Sequence, residues 1–477
     1  MQGKLQGSEL RERFRPFAKK MKDEGIPPLI IDAFRFYYDK LVRGERGLLS
    51  RKDIVPITKG EIANVEMLDR FNQEGCRAVK ETVIIKLNGG LGTSMGLSKA
   101  KSLIEVRDGL NFLDIIAKQI LIHREQYGTK IPLVFMNSFK TDEESRRFLG
   151  RYPNLACDIP LSFLQHKFPK VVKESLSPGS WPTDPDCEWN PPGHGDIYFA
   201  LITSGILDKM ISKAYKYAFI SNSDNLGAIM DEALLGYFAS HNLPFMMEVA
   251  DRAKRDIKGG HLARLKDGSL TLREIAQCPG EEIEEFQDTT LYRYFNTNNI
   301  WVNLLFLKEK LKEPANPLRL PMIVNPKRID PEDDSSTEVY QIETAMGSAI
   351  SLFEKATAVR VPRTRFVPVK KCQDLLALRS DCYVVTEDSR VIQNPDRRFG
   401  TINIDLDDRY YKTINQLKQR FAHNIPSLID CESLKIEGNI YFGKGIVMKG
   451  EVNIISHSSK KVSIPDGMVI NADLLFD

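Results

Sequence analysis

Residues 82–96 read TVIIKLNGGLGTSMG, an apolar run that passes directly into a glycine-rich loop. The run at 82–87 has the length and the β-branched content of a buried strand. The loop after it holds four glycines in eight residues, Gly89, Gly90, Gly92 and Gly96. Glycines let the backbone approach a ligand closely and leave N–H groups available to phosphates. The loop is therefore a candidate binding site.

Four further apolar runs alternate with helix-like stretches, at 131–136, 160–165, 217–221 and 243–250. Continuous apolar strands of this kind predict a mostly parallel sheet that is covered on both faces. In such sheets ligands bind beyond the carboxyl ends of the strands. We therefore expect the functional residues in the loops that follow these runs.

The glycine loop does not match the commonest phosphate-binding motifs. Three residues separate Gly92 from Gly96, which is not the GxGxxG spacing, and no GK[ST] follows as in a Walker loop. A tight turn without a ligand is the alternative. Two lysines beyond the glycines, Lys99 and Lys101, favour the ligand because they can neutralise a triphosphate.

The segment 1–78 is predicted to be a helical region that packs without taking part in chemistry. A single apolar stripe indicates its first helix, formed by Leu10, Phe14, Phe17 and Met21. Pro27 and Pro28 are placed to open a second helix, because a proline at the first helical position sacrifices no hydrogen bond. That helix carries one apolar face, Ile30, Phe34, Tyr37 and Leu41.

Residues 379–477 are predicted to form a separate domain with a six-residue apolar period. Two rows follow this period, Ile440, Ile446 and Val452 and then Phe442, Met448 and Ile454. Glycines accompany the rows at the expected turns, Gly438, Gly443, Gly445 and Gly450. The pattern predicts a short left-handed parallel β-helix with an architectural role.

Composition argues against several classes of function. A chain of 477 residues is expected to form two or three domains. Its net charge of +3 argues against a nucleic-acid partner. No stretch approaches the roughly 20 apolar residues that cross a membrane, and the N-terminal MQGKLQGSELRERF lacks the apolar core of a signal peptide. Seven scattered cysteines without a CxxC pair predict free thiols, so we expect a cytoplasmic protein without a membrane partner.

The loop KLNGGLGTSMG, followed by KSLIEV, resembles the nucleotide-binding signature of UDP-glucose pyrophosphorylases of the eukaryotic type. Seven further blocks similar to that family occur in order: FLQHKFPK, WNPPGHGDIY, SNSDNLGA, KGGHL, YFNTNNIW, IETAMGSAI and RTRFVPVK. The resemblance implies a central α/β domain of nucleotide-sugar transferase type over residues 79–378, with a Rossmann-like, mixed and mostly parallel sheet. It also implies that the chain makes UDP-glucose and pyrophosphate from UTP and glucose 1-phosphate, with Mg²⁺ as cofactor.

The resemblance assigns UTP to residues around the glycine loop: Leu87, Asn88, Gly89, Gly90, Lys101, Gln165, Gly193, Asp224 and Lys370. Gln165 follows an apolar run, and its amide offers both a donor and an acceptor. Uracil presents O4 and N3–H side by side, so one amide can pair with both, and a wrong base leaves buried groups unpaired. Without the family, Gln165 is an ordinary strand-end glutamine.

The same resemblance assigns the sugar to a second set, His194, Asn222, Ser223, Gly260 and Asn298. His194 stands between glycines in a loop that prolines stiffen, where it can donate to the sugar phosphate or to a hydroxyl. Gly259 is the alternative to Gly260. An acid, Glu284 or Glu285, is expected to face the sugar.

Asp224 is the expected Mg²⁺ ligand, since Mg²⁺ favours one or two carboxylates together with phosphate oxygens. The alternative is that Asp224 caps the following turn. Lys370 resembles the family's catalytic lysine near the α-phosphate, and with Lys101 it would offset the repulsion between the two anionic substrates. Arg363 and Arg365 are expected to support the same anionic patch.

The chain departs from the family pattern in two places. Lys99 and Ala100 stand where the family usually has Gly-Pro, which makes the loop locally more positive. The chain ends at LLFD, earlier than many relatives. We therefore expect a monomer or dimer, in which the residues 474–476 fold back to cap the last coil of the β-helix.

Two other functions are compatible with these motifs. One is a pyrophosphorylase of broader specificity or one for UDP-N-acetylhexosamine, although the glycine motif of the latter lacks the NGGLG pattern. The other is a catalytically silent nucleotide-sugar binding protein. The presence of Lys101, Asp224 and Lys370 argues against a silent protein, which would be free to lose them.

Overall fold

A mixed sheet of eleven strands forms the centre of the molecule. The computed structural model describes residues 7–253, 256–313 and 318–476. The α-helices in these ranges are α1 (Gly7–Asp23), α2 (Pro28–Val42), α3 (Asn72–Ala78), α4 (Phe112–Tyr127), α5 (Asp142–Leu149), α6 (Ile197–Thr203), α7 (Ile206–Ser212), α8 (Glu232–Ser240), α9 (Ile283–Gln287), α10 (Leu304–Leu311), α11 (Cys372–Arg379), α12 (Asp408–Tyr411) and α13 (Ile414–Arg420).

The strands in the same ranges are β1 (Ile54–Pro56), β2 (Ala63–Asn64), β3 (Thr82–Asn88), β4 (Glu105–Arg107), β5 (Leu110–Asn111), β6 (Leu133–Asn137), β7 (Ser162–Leu164), β8 (Phe168–Pro169), β9 (Val171–Val172), β10 (Trp189–Asn190), β11 (Tyr217–Asn222), β12 (Phe245–Asp251), β13 (His261–Leu265), β14 (Leu270–Arg273), β15 (Tyr294–Asn303), β16 (Met322–Arg328), β17 (Glu338–Thr344), β18 (Thr357–Arg360), β19 (Tyr383–Val385), β20 (Val391–Gln393), β21 (Asn403–Leu406), β22 (Cys431–Glu437), β23 (Ile440–Phe442), β24 (Val447–Met448), β25 (Gly450–Ser456), β26 (Val462–Ile464), β27 (Val469–Ile470) and β28 (Leu474–Phe476).

The central sheet has the strand order β2-β18-β12-β15-β11-β3-β6-β7, with β1, β13 and β14 attached beside β15. Strand β15 is antiparallel to β12 and to β11, and the other pairings along this order are parallel. The five apolar runs in the sequence form β3, β6, β7, β11 and β12. The prediction of a mixed, mostly parallel sheet is confirmed.

Strand β3 is buried on both faces, which explains its continuous apolar sequence. Ile84 packs on one side of the sheet with Phe135. Val83 and Ile85 pack on the other side with Ile220. Side chains of a strand alternate between its two faces, so a strand between two cores needs apolar residues at almost every position.

Four parallel strands end at one edge of the sheet. Leu87 in β3 lies opposite Asn222 in β11, and Asn88 lies opposite Asn137 in β6. Asn137 in turn lies opposite Leu164, the last residue of β7. The loops that follow β3, β7 and β11 therefore start side by side, as expected for a ligand site of this sheet type.

The predicted N-terminal helices are confirmed as α1 and α2. The apolar stripe of α1 is buried, and α2 begins at Pro28, whose ring is accepted in the first turn. Beyond Val42 the region predicted as helical also contributes strands to the central sheet: β1 pairs with β13, and β2 pairs with β18. At three and two residues these strands are too short to show a period in the sequence.

The C-terminal residues form three short parallel sheets. Strands β21, β22, β25 and β28 make one, β23 and β26 a second, and β24 and β27 a third. The apolar positions at six-residue spacing are buried, for example Ile440, Ile446 and Val452. The expected fold-back of residues 474–476 is wrong, because they form β28 parallel to β25, with Leu474 opposite Ile454.

Within the described ranges, no helix is both long enough and apolar enough to cross a membrane.

Candidate active site

The glycine loop after β3 lies against Gln165, as the sequence predicts. A Cβ atom added to Gly89 would lie 2.6 Å from Oε1 of Gln165, so a side chain at position 89 would displace the Gln165 amide. The N–H of Gln165 donates to the carbonyl of Asn137 at 2.9 Å and continues the pairing of β7 with β6. The Gln165 amide therefore faces a stretch of backbone that has no side chain of its own.

Asn88 and Ser223 join the ends of β3 and β11. The hydroxyl of Ser223 lies 3.2 Å from Oδ1 of Asn88, and the Ser223 N–H donates to the carbonyl of Leu87 at 3.0 Å. The Asn88 amide group donates to Asn137 at 2.8 Å and to Ser145 at 2.9 Å. Since the Asn88 side chain is only 2% exposed and fully engaged, it shapes the loop rather than offering free groups to a ligand.

Lys101 and Asp224 form an ion pair between the two loops, with Nζ of the lysine 2.5 Å from Oδ2 of the aspartate. The Lys101 N–H also donates to the carbonyl of Gly90 at 3.1 Å, which closes the glycine loop. The alternative role of Asp224 as a helix cap is excluded. Helix α8 is capped by Asp231, whose carboxylate accepts from the N–H of Leu234 at 2.9 Å.

Asp224 supplies the site with one carboxylate for a cation. In the part of the chain that the structure describes, no three His, Cys, Asp or Glu side chains are grouped so that they could hold a metal by themselves. Mg²⁺ is usually held by one or two carboxylates together with substrate phosphates. The donor set therefore fits Mg²⁺ that arrives with a nucleotide and does not fit an all-protein metal cage.

A cleft of about 910 Å³ opens beside this edge of the sheet. Five of the residues assigned from the sequence line it: Gly193, His194, Gly260, Asn298 and Lys370. The glycine loop and Gln165 lie outside its lining. The site thus has two parts, the glycine loop with Gln165 and the cleft. They meet where the N–H of Val369 donates to the carbonyl of Asp224 at 3.2 Å. Lys370, the next residue, is thus at the junction of the two parts.

His194 is held in the cleft by one of its two ring nitrogens. Its Nδ1 accepts from the N–H of Met346 at 2.9 Å. Removal from water lowers the pKa of His194 to about 4, so the ring is neutral at physiological pH. A neutral ring that accepts at Nδ1 carries its proton on Nε2, which can donate to a ligand oxygen. The preceding Gly193 has φ of +78° and packs against the backbone of Thr344.

Glu274 is one of six acids that line the cleft, and neither of the two acids expected from the sequence is among them. Glu285 is paired with Arg51 at 2.5 Å. A Cβ atom added to Gly260 would lie 2.5 Å from Oε2 of Glu274, so Gly260 makes room for this carboxylate. Burial raises the pKa of Glu274 to about 6, and the charge of Lys370 opposes that shift. The sequence feature that could have identified Glu274 is its position directly after the strand β14.

A bulge in β15 places Asn298 in the cleft. Glu248 of β12 pairs with Asn299 and Val249 pairs with Asn296, so two residues of β15 have no partner. Asn298 has φ of +57°, which asparagine tolerates better than most residues. Its Oδ1 accepts from the amide of Asn296 at 2.7 Å, and its N–H donates to Asn296 at 2.8 Å.

Arg363 and Arg365 do not support an anionic patch, contrary to the sequence-based expectation. Arg363 forms a two-point ion pair with Asp256, in which Nη2 lies 2.7 Å from Oδ1. Arg365 pairs with the buried Glu248. Their positive charges are therefore already compensated within the protein. The ammonium group of Lys370 makes no ion pair within the described ranges and lies 5.9 Å from the centre of the Phe366 ring.

Known proteins are similar to this chain in sequence and in fold. A family model described as "UTP--glucose-1-phosphate uridylyltransferase" matches residues 31–449. The UTP--glucose-1-phosphate uridylyltransferase of Solanum tuberosum is 42% identical over 88% of this chain and 84% of its own length. The probable UTP--glucose-1-phosphate uridylyltransferase of Schizosaccharomyces pombe is 36% identical over 98% of this chain and 92% of its own length. The fold is similar to a crystal structure of a UDP-glucose pyrophosphorylase mutant from Leishmania major in complex with UDP-glucose, with a TM-score of 0.91, 40% identity and coverage of 97% of this chain and 99% of that chain.

Proposed function

Since the chain belongs to the UTP–glucose-1-phosphate uridylyltransferase family, we propose that it joins UTP to glucose 1-phosphate and releases UDP-glucose and pyrophosphate. The observation that carries this proposal is the meeting of three groups at one sheet edge. Gln165 faces the glycine loop, the Lys101–Asp224 pair lies beside that loop, and Lys370 follows a residue bonded to Asp224.

The reaction needs no nucleophile from the protein. A phosphate oxygen of glucose 1-phosphate attacks the α-phosphorus of UTP and forms the new P–O bond. The bond from the α-phosphorus to the oxygen that bridges to the β-phosphate breaks in line, and its electron pair leaves with pyrophosphate. The work of the protein is to align two anions and to offset their repulsion, and Lys101 and Lys370 are the cations that do so.

Base selection is assigned to Gln165 and the backbone of Gly89. The amide can pair with O4 and N3–H of uracil, whereas cytosine presents the opposite donor and acceptor. Because Gly89 has no side chain between the loop backbone and the Gln165 amide, a flat base can lie directly against the loop. Leu87, Asn88 and Gly90 complete this wall.

Sugar binding is assigned to the cleft. His194 offers Nε2–H as a donor, Glu274 offers a carboxylate as an acceptor, and Asn298 offers its amide. A ring of hydroxyl groups needs both kinds of partner within one cavity, and these side chains together supply them. Asn222 and Ser223 lie at the end of β11, where the cleft meets the nucleotide loop.

Asp224 is the residue that would hold Mg²⁺ together with the nucleotide phosphates. When bound there, Mg²⁺ would supply positive charge against the phosphoryl oxygens. The Lys101–Asp224 ion pair compensates both charges until a triphosphate offers Lys101 a stronger partner.

The proposal includes the organisation of the chain. The central catalytic domain is residues 79–378, and residues 379–477 form a left-handed parallel β-helix, supported by the three parallel sheets and the six-residue spacing of buried residues. The oligomeric state is monomer or dimer. A cytoplasmic location is supported by seven cysteines that all remain free.

One assay tests the function. Pyrophosphate release is measured with UTP, CTP, ATP and GTP against glucose, galactose and N-acetylglucosamine 1-phosphates. UTP with glucose 1-phosphate is expected to be the best pair. A preference for N-acetylglucosamine 1-phosphate would reassign the sugar, and no release with any pair would overturn the proposal in favour of a binding protein.

A further inference from the structure

An ion pair in the wall of the cleft joins Glu248 to Arg365, whose side chain is 11% exposed. Glu248 is 0% exposed. Its Oε2 accepts from Nε of Arg365 at 2.7 Å, and its Oε1 accepts from Nη2 at 2.7 Å. Trp301 donates to Oε1 and Asn299 donates to Oε2, each at 3.0 Å. The carboxylate thus has four donors, which is what a charge needs in a dry interior.

The pair connects the segment before Lys370 to the segment after Asp224. Arg365 donates through Nη2 to the carbonyl of Ile229 at 2.8 Å. Its own carbonyl accepts from the amide of Asn225 at 3.1 Å. The Oδ1 of Asn225 then accepts from the N–H of Val367 at 2.9 Å. Each of these bonds crosses between the segments 225–229 and 364–369.

The two segments also touch through their backbones. A Cβ atom added to Gly227 would lie 2.3 Å from the carbonyl oxygen of Thr364, so the segments could not approach as closely with any other residue there. Lys86 of β3 adds a third anchor, since its Nζ donates to the hydroxyl of Ser221 and to the carbonyl of Ala228, both at 2.8 Å. The strand that precedes the glycine loop is therefore tied to the same segment.

We infer that Glu248 and Arg365 are positioning residues that fix Lys370 relative to Asp224 and thereby set the rate of turnover. The inference rests on the proposed function. The two charges compensate each other, so neither side chain is free to pair with a charged ligand. Replacing a buried pair of this kind by apolar residues is often neutral for stability, so stability alone does not explain it. Its bonds lead to the two loops that carry the catalytic lysine and the magnesium ligand.

The first test is Glu248→Gln, which keeps the shape of the side chain but removes its charge. We expect a fall in kcat of about 10-fold or more, because displacements near 1 Å are known to cost about 100-fold. The KM for UTP is expected to change less than about threefold, since no bond within the described ranges joins Glu248 to Gln165, the glycine loop or the Lys101–Asp224 ion pair. The matched control is Glu188→Gln, which breaks a largely buried ion pair with Lys20 in the N-terminal region and should leave kcat unchanged.

The second test separates positioning from a general structural role. Glu248→Gln is combined with Lys370→Ala. If Glu248 acts by placing Lys370, its substitution costs little further kcat once Lys370 is gone. Equal fold-losses in both backgrounds would overturn the inference, and so would a rise in KM without a change in kcat.

A third variant covers failure of Glu248→Gln to fold. Asn225→Ala removes the acceptor of the Val367 N–H without uncovering a buried charge. It should give the same non-additive loss with Lys370→Ala, and additive losses would overturn the inference. Activity of the wild-type chain is measured first. An inactive wild type would refute the proposed function. An active wild type whose variants have the same activity would refute only the positioning inference.

Discussion

Nζ of Lys101 lies 2.5 Å from Oδ2 of Asp224, and the two side chains are only 17% and 18% exposed. The lysine follows the glycine loop and the aspartate follows β11, so the bond joins the ends of two adjacent parallel strands. In the function proposed above, the triphosphate oxygens would pair with Lys101 and the Mg²⁺ that accompanies them would bind Asp224. Substrate binding would then be an exchange of partners, in which the internal ion pair opens and each charge pairs with a group of the substrate.

The exchange predicts separate effects for the two residues. Asp224→Asn should raise the Mg²⁺ concentration for half-maximal activity by about tenfold or more, because it removes the one carboxylate of the donor set. Lys101→Met should instead raise the KM for UTP. Initial rates over a magnesium titration measure both, and an unchanged magnesium requirement in Asp224→Asn would exclude Asp224 as the ligand.

Lys370→Ala should lower turnover far more than it weakens UTP binding. Charge builds up on the α-phosphoryl oxygens in the transition state, where a fixed cation contributes most. A loss of roughly 100-fold in kcat is expected by analogy with removal of one oxyanion donor. Lys371→Ala is the control, since the Lys371 ammonium group turns away to Asp408 at 3.3 Å. Steady-state kinetics decide it, and near-normal turnover would remove Lys370 from the catalytic role.

Gln165→Leu should raise the KM for UTP and narrow its advantage over CTP. An unpaired buried group costs about 1–3 kcal/mol, which is roughly 5- to 150-fold in affinity. Competition between UTP and CTP in one assay measures the change in selectivity. Unchanged UTP kinetics would mean that backbone groups alone read the base.

Glu274 predicts a pH dependence of sugar binding. Its pKa is raised to about 6, so the ionised form is disfavoured in the folded chain. Ionised Glu274 therefore destabilises the folded chain above about pH 6, and this cost is relieved as the pH falls from about 6 to the ordinary carboxyl value. Binding has the opposite trend, because only the carboxylate accepts from two hydroxyls. The KM for glucose 1-phosphate should rise as the pH falls through about 6, and Glu274→Gln should abolish that rise. A wild-type profile in the variant would contradict this role.

Patterns among neighbouring residues were enough to predict the first helices and the buried strands. The stripe from Leu10 to Met21 indicates a helix, and the run at 82–87 indicates a strand. Burial of one helix face, or of both strand faces, fixes the residue type at each position. The loop residues around Gln165 were predictable for the same reason, since each follows such a run.

Pairings between distant residues were not predictable in this way. Arg365 was expected to support the same anionic patch as Lys370. Its partner Glu248 is 117 residues away, and nothing in RTRFVPVK indicates that the charge of Arg365 is already compensated. Glu274 was missed because its place beside Gly260 depends on the hairpin of β13 and β14. The chemistry of a side chain is decided by what the fold brings against it, and that information is not local.

The last strand predicts how the chain assembles. Residues 474–476 pair with β25, and Asp473 accepts from the N–H of Asn453 at 3.0 Å, so the seven-residue strand β25 is covered and the sheet ends in the three-residue strand β28. Open strand edges pair with other chains. Deletion of 473–477 should therefore convert a monomer or dimer into larger species. The control is Leu475→Ser, because that side chain is 70% exposed and the backbone pairing is kept. Sedimentation equilibrium at micromolar concentration measures both. A stable octamer of the full chain, or a deletion that sediments like it, would refute the argument.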